Sequence, residues 1–358
     1  MADANHRTHV YVGLGGENPL VVGAEGPTLN QGGIYRKADD EAEWTDVSTG
    51  LPASAQVRAL MMHPKDSQVI FAGTQKGVYR SGDRGDHWEK LDSHEGDVWS
   101  LAVHPHDANV MFAGYDRSTI CRTQDGGASW QKMNTANVVF PHITMHPTEI
   151  VKRVIGMSID PANPDDVYGA IEVGGLVASR DGGESWESII DGPYLRNNTL
   201  DLHGVQVSAA APGTVHIITQ VAMFRSRDRG NRWEHVQVEE MFPGGSYCRG
   251  LIVAPDDPKT MYLAAGAGGG GAPQGTQDAG ALFRSRDTGE SWERLDLGEI
   301  APNRMFQIAI DPAAPSQIHC CTRDGLVYSS QDRGTSWTKS QVPAEMSRGR
   351  HVYPMVCG

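Results

Sequence analysis

The chain has 358 residues, with 31 basic and 44 acidic side chains and a formal net charge of −13, which argues against a nucleic-acid-binding face, because such a face needs clustered lysine and arginine. Apolar residues at 39% and charged residues at 21% make a globular composition, and 42 glycines with 20 prolines favour turns over helices. No run of eighteen apolar residues occurs, Met1 to His9 is polar, and the cysteines (Cys121, Cys248, Cys320, Cys321, Cys357) are odd in number. These features predict neither membrane span nor signal peptide, no disulfide framework, and a reducing, cytoplasmic setting.

In chain order the first β run is His9-Val-Tyr-Val-Gly-Leu14, followed by the turn phrase KADDEAEW (37–44). The next unit is complete. An apolar run VRALMMHP (57–64) is followed by Val69–Ala72, then Gly77–Arg80, then SGDRGDHW (81–88). The same order returns as VWSLAVHP (98–105), Val110–Ala113, Thr119–Arg122 and TQDGGASW (123–130). It returns again around VIGMSIDP (154–161) with SRDGGESW (179–186), and more loosely around Val205–Pro212 with SRDRGNRW (226–233). Two further copies are CRGLIVAP (248–255) with SRDTGESW (285–292) and MFQIAIDP (305–312) with SQDRGTSW (330–337). The last apolar run is His351–Cys357.

The recurring phrase is Ser/Thr-x-Asp-x-Gly-x-x-Trp, and seven of the eight tryptophans stand in its frame, the copy at 37–44 keeping only Asp39 and Trp44. The residue types divide the work of a turn among them. The Asp accepts bonds from turn amides, the Gly tolerates positive φ, and the Trp anchors the next strand. The phrase is therefore a hairpin device joining two antiparallel strands. Successive frame tryptophans are 44, 42, 56, 47, 59 and 45 residues apart, about 51 residues per unit over the chain. That spacing predicts an all-β fold, a seven-bladed β-propeller with four antiparallel strands per blade. The first unit lacks its own buried first strand, and His351–Cys357 supplies one, closing the ring and removing exposed edges. One domain spanning 1–358 is expected.

The phrase is that of the Asp-box, or BNR, repeat, and nearly the whole chain resembles the Asp-box β-propeller superfamily, which includes sialidases, xyloglucanases, sortilin-like receptors and photosystem II assembly factors. The resemblance implies a propeller with its boxes at the blade peripheries, away from an active face. It implies no particular activity. No Arg-Ile-Pro start signature occurs, and seven units exceed the six blades of sialidases, which argues against a sialidase. Xyloglucanases place their catalytic aspartates between two propellers, and this chain is long enough for one.

In a propeller, the box turns and the loops from first to second strand share one face, while the loops leading into each first strand share the other with the second-to-third turns. The box face is rich in turn chemistry such as Ala162-Asn-Pro-Asp-Asp166. The opposite face collects His, Arg, Tyr and carboxylates, together with three insertions, Gly15–Gly33, Asn134–Arg153 and Gly266–Gly280. Long loops on a rigid scaffold are where sites are usually mounted. The GxGxxG at Gly266, Gly268 and Gly271 precedes another strand rather than a helix, so it is not read as a dinucleotide fingerprint.

Four histidines, His142, His146, His203 and His351, are the candidate metal ligands, converging from several blades on one divalent or transition metal ion, with Glu149 or Glu172 as oxygen ligand or base. The alternative is that they are channel-lining residues bonded to backbone. Arg58, Arg153, Arg249, Arg304 and Arg350 stand near the starts of five first strands and form a candidate ring for a substrate carboxylate or phosphate, or else pair with Asp97, Asp201 or Glu299. Trp99, outside the box frame, is a stacking platform or a core residue. Cysteine catalysis is not expected.

These readings give three expectations. The first is an intracellular lyase or hydrolase acting on a small anionic or polar metabolite, with His203, His146, Glu172 and Tyr247 moving protons. The second is a non-catalytic assembly or peptide-binding propeller with a protein partner. The third is a glycoside hydrolase, by superfamily analogy, which requires paired carboxylates in the pocket.

Overall fold

The computed structural model describes residues 6–16, 32–140, 150–189, 199–236, 246–267, 279–345 and 351–358. Among them are seven sheets, antiparallel except for one added edge strand, and no helix. Six blades run in simple chain order, each from a first strand to a fourth. Their first strands are Ala59–His63, Val98–Val103, Arg153–Ile159, Leu202–Val207, Ser246–Val253 and Met305–Ile310. Blade 1 takes its first strand from the other end of the chain. His351–Cys357 pairs antiparallel with His9–Gly15, Val10 opposite Cys357 and Tyr11 opposite Val356. The ring is therefore a closed seven-bladed β-propeller.

Strand side chains point alternately to two faces, and here each face of a sheet meets a different neighbour. Val10 and Val12 pack with Val327 and Cys321 of blade 7, whereas Tyr11 between them packs with Leu60 and Ile70 of blade 2. The hydrophobic core is accordingly seven clusters, one at each blade-to-blade junction. All five cysteines are free and buried within this packing.

The boxes form as their residues require. In six of them the Ser or Thr hydroxyl donates to the box Asp at 2.7–2.9 Å and accepts the box Gly N–H at 2.8–3.0 Å. The Asp also accepts the amide four residues on, as Asp181 does from Ser185 at 2.9 Å. The box glycines have φ near +90°, for example +89° at Gly85 and +96° at Gly127, which any side chain would strain.

Two features go beyond the expectation. Arginines latch four of the boxes to the blade before them: Arg36, Arg122, Arg180 and Arg284 donate to the backbone carbonyls of Arg84, Gly182, Arg229 and Arg333, each the residue after a box Asp. The insertion predicted at Asn134–Arg153 is not wholly loop. Asn134–Asn137 adds a fifth, parallel strand to the outer edge of blade 4, with Asn134 opposite Ser185. The reason is an available edge: the fourth strand of that blade, Ser185–Ile189, has five residues where several others have two, and its Ser188 hydroxyl clips Val139 through both N–H and C=O.

Candidate functional site

The site is built by a β-bulge repeated around the ring. Pairing between first and second strands skips one residue at Trp99, Ile155, His203, Arg249 and Phe306, and in blade 1 the skip falls at Tyr353-Pro354. Arg58 occupies the same step in blade 2, immediately before the Ala59–Gly73 pair, and its N–H donates to the Gly73 carbonyl. A bulge re-aims the side chain of the extra residue. One ring of positions thus holds Arg58, Trp99, Ile155, His203, Arg249, Phe306 and Tyr353. Two residues earlier, on the same side of each strand, stand Gln56, Asp97, Arg153, Asp201, Tyr247, Arg304 and His351.

These side chains meet across the channel as well as between neighbours. Trp99 of blade 3 and Tyr353 of blade 1 are edge to face at 5.6 Å, and Arg249 of blade 6 lies 5.9 Å from the same tyrosine ring. The lining continues from Tyr353 to His351 at 4.5 Å, to Phe306 at 5.5 Å, to Tyr247 at 6.5 Å and to His203 at 4.7 Å. The guanidinium groups sit on this aromatic chain: Arg58 and Arg153 lie 4.5 and 4.3 Å from the Trp99 ring, Arg249 is 5.1 Å from Phe306, and Arg304 is 4.3 Å from Tyr247. Cation–π contact of this kind holds an arginine head group in one place.

The carboxylates lie on blades 3 to 5. Arg153 pairs with Glu172 at 2.9 Å, and Arg58 reaches Asp97 at 3.5 Å. Asp201 is different. Burial, and after it the charge of neighbouring Glu172, pushes its carboxyl up to about 7, against the opposing pull of Arg249 and a hydrogen bond from the Val173 N–H. Its Oδ1 is buried with no hydrogen-bond partner among the described residues. Val173 itself has φ +52°, which is strained for a β-branched residue, and Lys152 donates to its carbonyl at 2.5 Å. The turn bearing Glu172 is thus pinned at both the N–H and the C=O of Val173. A protonated acid beside an ion-paired carboxylate is an arrangement able to donate a proton and support charge in one step.

The described candidates therefore come together: His203, Tyr247, Arg58, Arg153, Arg249, Arg304, Trp99 and His351 occupy the two rings, and Glu172 faces them. His142, His146, Glu149 and Arg350, with most of the insertions 15–33 and 266–280, lie outside the described residues. Trp99 and two of the histidines are held by their neighbours. Trp99 is 3% exposed with two guanidinium groups on its ring, so it packs the channel and offers no open stacking face. Among the described residues no three His, Cys, Asp or Glu side chains converge as a metal set. His203 commits Nδ1 to the Cys248 carbonyl at 2.7 Å, and burial followed by the nearby Arg249 holds its imidazole well below the usual value, hence neutral. Burial, then Arg323, likewise holds His351 down. Sequence reasoning placed Asp201 only as an arginine partner and passed over Tyr353 and Phe306; aligning the seven first strands on their partners would have revealed both rings.

Comparison with known proteins agrees with this architecture. Residues 76–192 match the family model described as Sortilin-Vps10, neurotensin receptor 3. A xyloglucanase of Hypocrea jecorina is 22% identical over 90% of this chain and 37% of its own length, and xyloglucanase Xgh74A of Acetivibrio thermocellus is 30% identical over 34% and 14%. The chain spans less than two-fifths of the length of these curated relatives. Among solved structures, the GH74 xyloglucanase of Xanthomonas campestris superposes with a TM-score of 0.65 at 19% identity, covering 88% of this chain and 52% of that one. YCF48 from Cyanidioschyzon merolae gives 0.53 at 12% identity, covering 86% and 96%. With seven blades, six of them closed by a well-formed box, and a family-model match over 76–192, the chain is by fold an Asp-box-type (BNR-repeat) β-propeller, matched to no one member more specifically.

Proposed function

We propose that this protein is a glycoside hydrolase acting at the channel mouth opposite the boxes. The observation that carries the reading is the pair Asp201 and Glu172, two neighbouring carboxylates in opposite settings. Asp201, holding its proton near neutrality, donates it to the glycosidic oxygen as the leaving group departs. Glu172, charge-balanced by Arg153, supports the developing positive charge on the sugar or activates the incoming water. Neutral His203 and the Tyr247 phenol, kept protonated by burial, shape the wall beside the acid. The xyloglucanase relatives add weight to carbohydrate hydrolysis, the third of the three expectations, over small-metabolite chemistry or a scaffold.

The test is release of reducing ends from a panel of polysaccharides that includes xyloglucan. Asp201→Asn and Glu172→Gln should each lower the rate by about 10²–10⁴-fold while the circular dichroism of the folded protein is retained. The wild-type rate should fall as pH rises through about 7, where Asp201 loses its proton. Full turnover in both variants, or no hydrolysis of any saccharide by the wild type, overturns the reading.

A further inference from the structure

The mouth is divided by charge. On blades 3 to 5 stand Asp97, Asp116, Glu172 and Asp201, with Arg58 and Arg153 turned toward two of them. At the same two steps, blades 6 and 7 carry Tyr247, Arg249, Arg304 and Phe306. The nearest acidic turn of blade 7 is already engaged, since Asp324 accepts from the Asn303 amide.

Arg249 is 8% exposed, and among the described residues its guanidinium makes no hydrogen bond or close ion pair; it lies against the Phe306 and Tyr353 rings, with Glu172 and Asp201 acting on it from a distance. The Arg304 guanidinium lies over Tyr247 with its Nε buried and unpartnered among the described residues. This is unlike the arginines of the box face. There Arg122, Arg225, Arg227, Arg229, Arg284 and Arg333 each meet a carboxylate at 3.0 Å or less. Taking a guanidinium out of water without a counter-charge is costly, and aromatic faces offset only part of that cost. The two histidines beside these arginines, His203 and His351, are held neutral and supply no negative charge. Glu172 and Asp201 act on Arg249 only through space, so the place beside the two guanidinium groups suits a directly bonded anion with planar, forked acceptors, which is the geometry of a carboxylate.

We propose that Arg249 and Arg304 form a subsite for a carboxylate carried by the saccharide, so that the ligand is an acidic glycan bearing uronic acid residues. The sugar part of this assignment rests on the glycoside-hydrolase reading; the carboxylate part rests on the two guanidinium groups that no described carboxylate meets. Arg249 lies close enough to Asp201 to pull on its proton, so the bound carboxylate would sit beside the acid.

Isothermal titration of the intact chain with a uronic acid trisaccharide, its carboxyl-reduced neutral counterpart and a sulfated trisaccharide tests the assignment. The uronate should bind at least about tenfold more tightly than the reduced sugar, with the preference falling as salt is raised. Arg304→Gln should remove that preference and Arg304→Lys should restore part of it; because the reduced sugar makes the same comparison without any mutation, misfolding of a variant does not spoil the test. Equal binding of uronate and reduced sugar overturns the subsite, and binding of the sulfated sugar in place of the uronate overturns the carboxylate. Hydrolysis of neutral glycans without uronate preference sinks this inference and leaves the glycosidase reading standing; uronate binding without hydrolysis of any glycan does the reverse.

Discussion

The two ends of this ring are made by opposite rules. On the box face, six turns repeat one hydrogen-bond set, hydroxyl to carboxylate and glycine amide to hydroxyl, with every partner supplied locally. On the mouth face, one repeated backbone device, the bulge at the start of six of the seven first strands, carries a different side chain in nearly every blade. The same residue type responds accordingly. Asp125 in a box is held down to about 2 by the hydrogen bonds of Ser129 and Thr123, whereas Asp201 at the mouth is driven up to about 7 by burial. Where backbone and side chain repeat together, the side chain serves the backbone. Where the backbone repeats and the side chain varies, the scaffold is free to place chemistry.

Three variants bear on that contrast, taken from the largest effect down. Trp186 is buried, donates Nε1–H to the Gly183 carbonyl at 3.1 Å and meets Phe112 edge to face. Trp186→Ala should cost about 3–5 kcal/mol in denaturant unfolding, while the relative rates on different saccharides stay as they were. A change of substrate preference in the folded variant would mean that the two faces have been assigned the wrong way round.

Asp201→Asn should move stability in the other direction, and only at higher pH. Below the unfolded-state value near 3.8 both states hold the proton and the residue is neutral in both. As pH rises from there to about 7, the unfolded chain ionises while the folded protein keeps its proton, so wild-type stability falls. The asparagine carries no such cost. The variant should therefore match the wild type near pH 4 and exceed it by an amount on the order of a few kcal/mol near pH 8, measured by urea unfolding across that range. A variant less stable than the wild type at pH 8 would show that Asp201 is an ordinary ion-paired carboxylate. Stability gained together with activity lost is the mark of a site strained for function.

The smallest effect belongs to the box carboxylate. Asp181→Ala removes a bond to the buried Ser179 hydroxyl and two at the protein surface, to the Ser185 amide and hydroxyl. Its cost should be about 1–2 kcal/mol by the same unfolding assay, with turnover unchanged. A loss of turnover without a loss of stability would give the boxes a role in the chemistry that their geometry does not suggest.

Much of this was legible from residues alone because it is written in local chemistry. Ser-x-Asp-x-Gly-x-x-Trp specifies a turn whose donors and acceptors lie within eight residues of one another, so its recurrence gave the blade count, and the orphan strands His9–Leu14 and His351–Cys357 gave the closure. The candidate ring was legible in outline, since Arg58, Trp99, Arg153, His203, Tyr247, Arg249, Arg304 and His351 all cluster at the starts of first strands. The particulars were not. A bulge depends on how two strands are registered, and one skipped residue decides whether Trp99 or its neighbour enters the channel. The proton held by Asp201 depends on burial and on Glu172 of the preceding blade, and the setting of Arg249 depends on which carboxylates the ring brings within reach. Local bonding determined the turns, the blades and their number; the assembled ring alone decided which polar side chains lost their water and which of them found a partner.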